Sequence, residues 1–470
     1  MTASVETART GGPVIDRGAW SWALFEWARN PWVLLGTIYV FAPYISNVVI
    51  GDPVRGQALI ASWHTTAGVI IALTSPFLGA AADRMGRRKP LLAVATAALA
   101  FCIAIKWFAL PDNEGLPIWA IGVFTTAAGV AFVYTEVMHN SMLTRAAPPG
   151  GISQVSGLGL SLGNAASVLL LVFVLVTMAL PGQIDLPFIP DAPLFGLDRA
   201  AHEPDRVVTL LCAAWLVIFS IPIFLYTPDL TTTGEKFGDA LRHGVGNVIR
   251  TIRKLRDYQN VALFLVARML YADGKTAILI FSGVYASGVM GWDLLEMLSY
   301  GILLSIFAVF GGVLSGWLDH VIGLKRAVVA EIGVTLLCLI FMVSMSPNSM
   351  FFMPVEPNVA LWDSPLFATG PELAYLAFAI VIAISITAAY GSSRALMARL
   401  APSGMEGEVF GLYALSGSAT AWLAPGILAY FTTAYQSLRA GFASIALLLL
   451  AGLVLLLFVK APQATRDATA

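Results

Sequence analysis

The sequence predicts an all-α polytopic membrane protein, with twelve transmembrane helices in two pseudo-symmetric six-helix bundles. Three observations carry that prediction. The chain of 470 residues is 58% hydrophobic and only 12% charged, with a mean hydropathy of +0.80; soluble domains carry about 25% charged residues. Twelve apolar segments reach the roughly 20 residues that a spanning helix needs. A charged stretch divides them six and six.

The segments lie at 19–48, 57–82, 89–110, 117–144, 152–180, 206–227, 260–287, 293–318, 325–346, 372–400, 407–434 and 437–460. The first begins at Trp20, behind a tail bearing Arg9 and Arg17, without a compact apolar stretch leading to a small-residue cleavage site. It reads as an uncleaved span rather than a signal peptide. The predicted organisation is a tail (1–18), an N-terminal bundle (19–227), a linker (228–259), a C-terminal bundle (260–460) and a second tail (461–470).

Charge bias orients the chain. With the N-terminus inside, the outer segments hold only Arg55, Lys106, Arg199, Arg206 and Arg439, while the inner ones carry most other cations. Both termini are therefore predicted to be cytoplasmic. In the linker, Phe237, Leu241, Val245, Val248, Ile252 and Leu255 recur at three- and four-residue steps with cations between. That pattern fits an amphipathic helix on the cytoplasmic face, either binding anionic lipid or simply tethering the bundles. The Pro- and Asp-rich outer loops 181–205 and 347–371 occupy corresponding places in the two halves, a weak internal repeat.

The net charge of −1 says nothing about partners, and no basic block or aromatic platform suggests nucleic acid. Cys102, Cys212 and Cys338 are far apart in apolar runs and read as small buried core residues. No metal or cofactor is predicted. A nucleotide-driven pump is disfavoured because no G-x-x-x-x-G-K-[ST] loop exists, and an enzyme because no nucleophile–base pattern appears.

Between the second and third spans the chain reads GAAADRMGRRK. Gly79, Asp83, Arg84, Gly86, Arg87 and Arg88 match the G-x-x-x-D-R-x-G-R-R signature, and the chain resembles the major facilitator superfamily on that account. Charge bias alone would supply the arginines but not the glycines and Asp83 at this spacing. Gly79 admits a neighbouring helix, Gly86 permits a tight turn, and Asp83 can act on the N-terminus of another helix. The resemblance implies that this helix is the eleventh span, near Gly407, and that the cluster is a cytoplasmic gate. A degraded copy, SGWLDHVIGLKR, stands at the matching place in the second half, with Asp319, Gly323, Lys325 and Arg326. Duplicated halves fit the superfamily's architecture.

Three further stretches, WSWALFEWARNPW, ARMLYADGKTAI and residues 391–425, resemble the vacuole-effluxer-like branch. The chain departs from it at Glu26, where Asp is usual, at Arg29–Asn30–Pro31, which replaces Asn–Ser, and at Ala272, where Asn is usual. These fall in pocket helices, so a relative's substrate does not carry over. Amino-acid efflux by the yeast relatives is a hint only.

Charges inside spans are costly and mark function by default. Glu26 and Arg29 share a helix face at i and i+3; they either neutralise each other and lock packing or face the central cavity, and Pro31 adds a bend. The seventh span holds Arg268, Tyr271, Asp273 and Lys275. Asp273 and Glu26 are the preferred carboxylates of a substrate or proton site that also includes Arg29, Arg268, Tyr271 and Lys275; Asp273 needs a partner or a proton, and Glu26 is a candidate partner for one of the seventh-span cations. In the fourth span Glu136 and His139 share a face, either as a proton relay or as a hydrogen-bonded pair fixing helix contacts. Glu331 is expected to pair with Lys325 or Arg326, and His64 to sit at the outer interface. Arg394 reads equally as a gate residue or a cytoplasmic anchor.

The predicted function is a secondary active transporter for a small polar or zwitterionic solute, with alternating access and proton coupling. The alternative is a lipid or amphipath flippase or exporter, or a sensor, on the same fold. The expected partners are the solute, protons and the lipid bilayer, with the protein a monomer in the cytoplasmic (inner) membrane.

Overall fold

The computed structural model describes residues 16–111, 114–147, 152–182, 189–229, 258–356, 359–363, 366–401, 412–413, 416–417 and 419–460, with the side chains of 76, 77, 79–85, 144, 152 and 153 outside that description. The predicted linker helix therefore lies outside the described residues.

Twelve helical segments follow in chain order: Arg17–Val49, Pro53–Met85, Lys89–Ala104, Ile118–Ala146, Ile152–Val174, Glu203–Tyr226, Gln259–Met290, Leu294–Val321, Leu324–Val343, Gly370–Leu400, Leu423–Tyr435 and Leu438–Phe458. Among the described residues ten are long and apolar enough to cross a membrane, the third by running on through Phe108. The seventh falls short because Arg268, Asp273 and Lys275 lower its hydropathy. The described helix of the eleventh is only 13 residues long. A two-strand hairpin, Ser349–Met350 with Met353–Pro354, decorates the loop after the ninth segment.

Local chemistry sets the ends. Asp16 accepts the Ala19 N–H at 2.8 Å and starts the first helix, as side-chain caps do. Capping boxes start the eighth (Asp293, Glu296) and tenth (Thr369, Glu372) helices. Past Pro31 the first segment widens into π-helical turns over Trp32–Tyr39. Gly86 (φ +85°) and Gly323 (φ +84°) both take left-handed backbone at the turns before the third and ninth helices. The degraded second motif thus repeats the first turn in backbone as well as sequence.

The ends carrying Asp16, Gly86, Gly323 and Lys460 form the basic end; Gly51 and Gly291 mark the far end. Contacts joining the halves gather toward the far end. The Ile38 carbonyl lies against Gly283, where a Cβ would collide with it. Tyr39 meets Tyr300 edge to face at 5.6 Å, and Gln57 Nε2 donates to Thr432 Oγ1 at 2.8 Å.

One expectation changes here. His64 sits about 16 Å into the second helix at 1.5 Å per residue and meets Phe281 of the seventh at 5.6 Å; it belongs to the contact between halves, not the outer interface. Lys106 and Arg206, assigned to outer segments, are buried at 2% and 4% exposure. Lys106 lies over Trp32 at 4.7 Å and Arg206 over Trp107 at 4.6 Å; aromatic faces shelter each cation. The three cysteines are free and buried, as predicted.

Candidate functional site

The first helix places Glu26 and Arg29 one turn apart, and they pair through two hydrogen bonds. Arg29 Nη2 donates to Glu26 Oε1 at 2.9 Å and Arg29 Nε to Oε2 at 3.1 Å. The fourth helix brings Glu136 and His139 to the same point. Arg29 Nη1 lies 3.6 Å from Glu136 Oε2, and His139 Nδ1 lies 3.2 Å from Glu26 Oε1. The two predicted pairs are therefore one four-residue cluster on two helices. Arg29 also stands 4.7 Å over the Phe132 ring. Its Nη1 is buried without a hydrogen bond among the described residues.

Burial divides the roles. His139 is fully buried, Arg29 and Glu26 are nearly so, and the Glu136 side chain is 44% exposed. Glu136 is the member most exposed to solvent. His139 is held from behind: its Nε2 lies 2.8 Å from the Trp22 carbonyl oxygen, and its ring stacks on Trp22 at 4.1 Å. A carbonyl only accepts, so Nε2 carries a hydrogen. Nδ1 then faces a carboxylate oxygen. Nδ1 forms no hydrogen bond of its own among the described residues; a proton placed in that contact would relieve the opposition of its lone pair to the carboxylate.

The seventh-helix charges are arranged differently. Arg268 Nη1 donates to the Tyr413 carbonyl at 2.6 Å and to Ser416 Oγ at 2.5 Å, with its guanidinium 3.5 Å over the Tyr413 ring. Asp273 Oδ2 accepts the Ala424 N–H at 3.0 Å, at the start of the eleventh helix. Both residues grip the eleventh segment. Tyr271 donates to, or accepts from, Ser393 of the tenth helix at 2.9 Å. Lys275, 1% exposed, lies 4.0 Å over the Tyr390 ring and 5.5 Å from that of Tyr271. It has no carboxylate within ion-pair distance among the described residues.

Glu26 does not pair with Arg268 or Lys275, contrary to the expectation, because Arg29 and His139 already take its oxygens. Nor does Glu331 pair with Lys325 or Arg326. It is 2% exposed and accepts from Ser392 Oγ at 2.9 Å, while Lys325 donates to the Leu457 carbonyl at 2.8 Å.

At the basic end, Arg88 donates to the Ser141 carbonyl at 2.5 Å, and the backbone N–H groups of Arg88 and Lys89 donate to the Asp229 carboxylate at 3.0 and 3.1 Å. The Gly86 turn is thereby pinned to the fourth and sixth helices. Arg87 and Arg394 are exposed and form no ion pair among the described residues. The side chains of Gly79, Asp83 and Arg84, and the region near Gly407, lie outside the described residues. Sequence reasoning missed Trp22, Ser392 and the partnership of Asp319 with Ser392; a tryptophan or serine in an apolar helix carries no periodic signal of its own.

Twelve helical segments, with contacts joining the two halves toward one end, give the fold of membrane transporters of the major facilitator type. Solved structures share the fold. A mutant form of the nucleoside transporter NupG superposes with a TM-score of 0.64 at 12% identity, covering 94% of this chain and 98% of that one. A D-xylose–proton symporter gives 0.62 at 11%, covering 95% and 98%. At such identities the likeness is one of fold alone. Residues 150–469 match the family described as vacuole effluxer Atg22 like, and the chain belongs to that family. An MFS-type transporter of Bacillus subtilis, YxiO, whose function is uncharacterized, is 22% identical over 458 residues, 95% of each chain. Autophagy-related protein 22 of Coccidioides immitis is 24% identical over 276 residues, 56% of this chain and 44% of its own length.

Proposed function

We propose that the protein is a proton-coupled secondary transporter that moves a small polar or zwitterionic solute by alternating access. The observation that carries this reading is the 3.2 Å approach of His139 Nδ1 to Glu26 Oε1 while Nε2 is committed to the Trp22 carbonyl. A proton held there neutralises one charge of the cluster. Arg29 links that proton to the solute. It binds Glu26 through two donors and directs Nη1 toward Glu136, so an anionic solute group drawn to Arg29 weakens its hold on Glu26. A freed Glu26 carboxylate holds the shared proton more tightly, which favours binding solute and proton together.

Tyr390, which faces Glu136 from the other half, and Lys275 supply the opposite wall. Arg268, Asp273 and Tyr271 hold the tenth and eleventh segments around it. On this reading the basic end is cytoplasmic, as charge bias requires, and both termini lie there in a cytoplasmic (inner) membrane. Gly79, Asp83, Arg84, Gly86, Arg87, Arg88, Asp319 and Arg394 form the gate on that side. The cations and apolar periodicity of the linker sequence suit anionic lipid as its partner, and the monomer is the proposed working unit.

One observation favours the second reading, carriage of an amphipath. A largely apolar groove of about 870 Å³ runs along the second, third and fourth helices past Trp63, Val94, Trp119 and Tyr134.

The test is solute accumulation in proteoliposomes under an imposed pH gradient, screening amino acids, peptides, small organic ions and a fluorescent phospholipid. Gradient-driven uptake of a polar solute, lost in Glu26→Gln, supports the proposal. Uptake indifferent to the gradient overturns the coupling. Movement of the phospholipid alone favours the second reading.

A further inference from the structure

A second group of buried charges lies in the C-terminal half, away from the Glu26 cluster and without a part in its proton chemistry. Glu331 of the ninth helix is 2% exposed, and Ser392 of the tenth is fully buried. Ser392 Oγ donates to Glu331 Oε1 at 2.9 Å. A hydroxyl has one hydrogen to give, yet the Asp319 carboxyl of the eighth helix also lies within reach of Ser392. Glu331 Oε2 and Asp319 Oδ1 are each buried without a hydrogen-bond donor among the described residues. Two neighbouring carboxyls thus compete for one donor, and each leaves an oxygen unsatisfied in a dry place. That arrangement is costly if both are ionised and is relieved by a single proton.

The surrounding helices offer little else. The seventh contributes Lys275, the cation that acts on Glu331, and Tyr271. Arg268 acts on Lys275 but is tied to Tyr413 and Ser416. The tenth adds Tyr390, stacked against Lys275. On the ninth helix itself, Lys325 is spent on the Leu457 carbonyl. The described part of the twelfth helix carries only Arg439, at the far end, where it meets Met345 and Ser349.

We infer that Glu331 is a second proton-binding residue, sharing its proton with Asp319 through Ser392 and setting whether the buried Lys275 has a countercharge. With Glu331 ionised, Lys275 has a countercharge behind it. With Glu331 protonated, Lys275 has none and is left to the faces of Tyr390 and Tyr271. This rests on the transporter fold but not on the Glu26 reading.

The experiment is pH-difference infrared spectroscopy of the full chain in lipid nanodiscs, following the carboxylic C=O band of the parent, Glu331→Gln, Asp319→Asn and Ser392→Ala. The expected result is a titrating band that Glu331→Gln removes. Asp319→Asn should move its midpoint down by about one pH unit, because a neighbouring negative charge is lost. Ser392→Ala should move it up by a similar amount, because the carboxylate loses a donor. Glu26→Gln should leave that band in place, so failure here is separable from failure of the first site. A band unchanged in Glu331→Gln overturns the inference. So does a midpoint unmoved in both Asp319→Asn and Ser392→Ala, variants that spare the Glu331 side chain and guard against a misfolded Glu331→Gln.

Discussion

Trp22 and His139 clasp each other across the first and fourth helices. Trp22 Nε1 donates to the His139 carbonyl at 2.8 Å, while His139 Nε2 meets the Trp22 carbonyl at the same distance. With both backbone carbonyls engaged and the rings stacked, the imidazole cannot turn, and Nδ1 stays aimed at Glu26. Trp22→Phe keeps the stack and removes one bond. It should cost about 1 kcal/mol of stability, read by thermal unfolding in detergent, and weaken proton coupling more than solute binding.

Asp273 is expected to tolerate the isosteric change. Its carboxylate accepts the Ala424 N–H, and the side-chain carbonyl of Asn accepts as well. Asp273→Asn should transport within a few-fold of the parent, while Asp273→Ala should lose about 1 kcal/mol as a helix cap is lost. Uptake assays settle it: abolished transport in a folded Asp273→Asn protein would move Asp273 into the solute or proton site.

Gly283 is one place where the halves touch backbone to backbone, against Ile38. Gly283→Val should prevent the far end from closing. Thiol labelling of a cysteine introduced near Gly51 should rise, and uptake should fall at least tenfold, with normal amounts of protein in the membrane. Unchanged labelling would mean that the contact is not part of closure.

His202 supplies the pH dependence of the far end. It lines a cavity of about 280 Å³ with Arg199, Asp205 and Asp293, the last from the other half. The hydrogen bond to Asp205 raises its pKa above the usual 6.5, against some desolvation. A raised histidine pKa adds stability that is fully present below the unfolded value and lost as pH rises through the folded one. The parent should therefore be more stable than His202→Gln in mildly acidic buffer, with the gap closing under alkaline conditions. Paired melting curves across that range give the answer.

Much of this was legible in the sequence. Hydropathy and the Gly79–Arg88 motif pointed to the fold, because burial in lipid and a tight turn leave marks in neighbouring residues. The pairing of Glu26 with Arg29 followed from helical spacing alone. What spacing cannot convey is which helices meet. Glu136 and His139 were visible as a pair, but their arrival at Glu26 depends on contact between the first and fourth helices. Asp273 looked like an unpaired charge because its partner is a backbone N–H on the eleventh segment, and backbone donors have no residue-type signal. Glu331 was assigned to nearby lysine and arginine on sequence distance, whereas the tenth helix brings Ser392 to it.

The central claim is that one proton sits between His139 and Glu26 and travels with the solute. The most direct measurement is solute-driven pH change inside proteoliposomes, with Glu26→Gln and His139→Gln beside the parent and solute binding measured in parallel. A shared, travelling proton predicts a solute-dependent signal in the parent that disappears in both variants while binding persists. Parental proton movement in folded Glu26→Gln protein would contradict it.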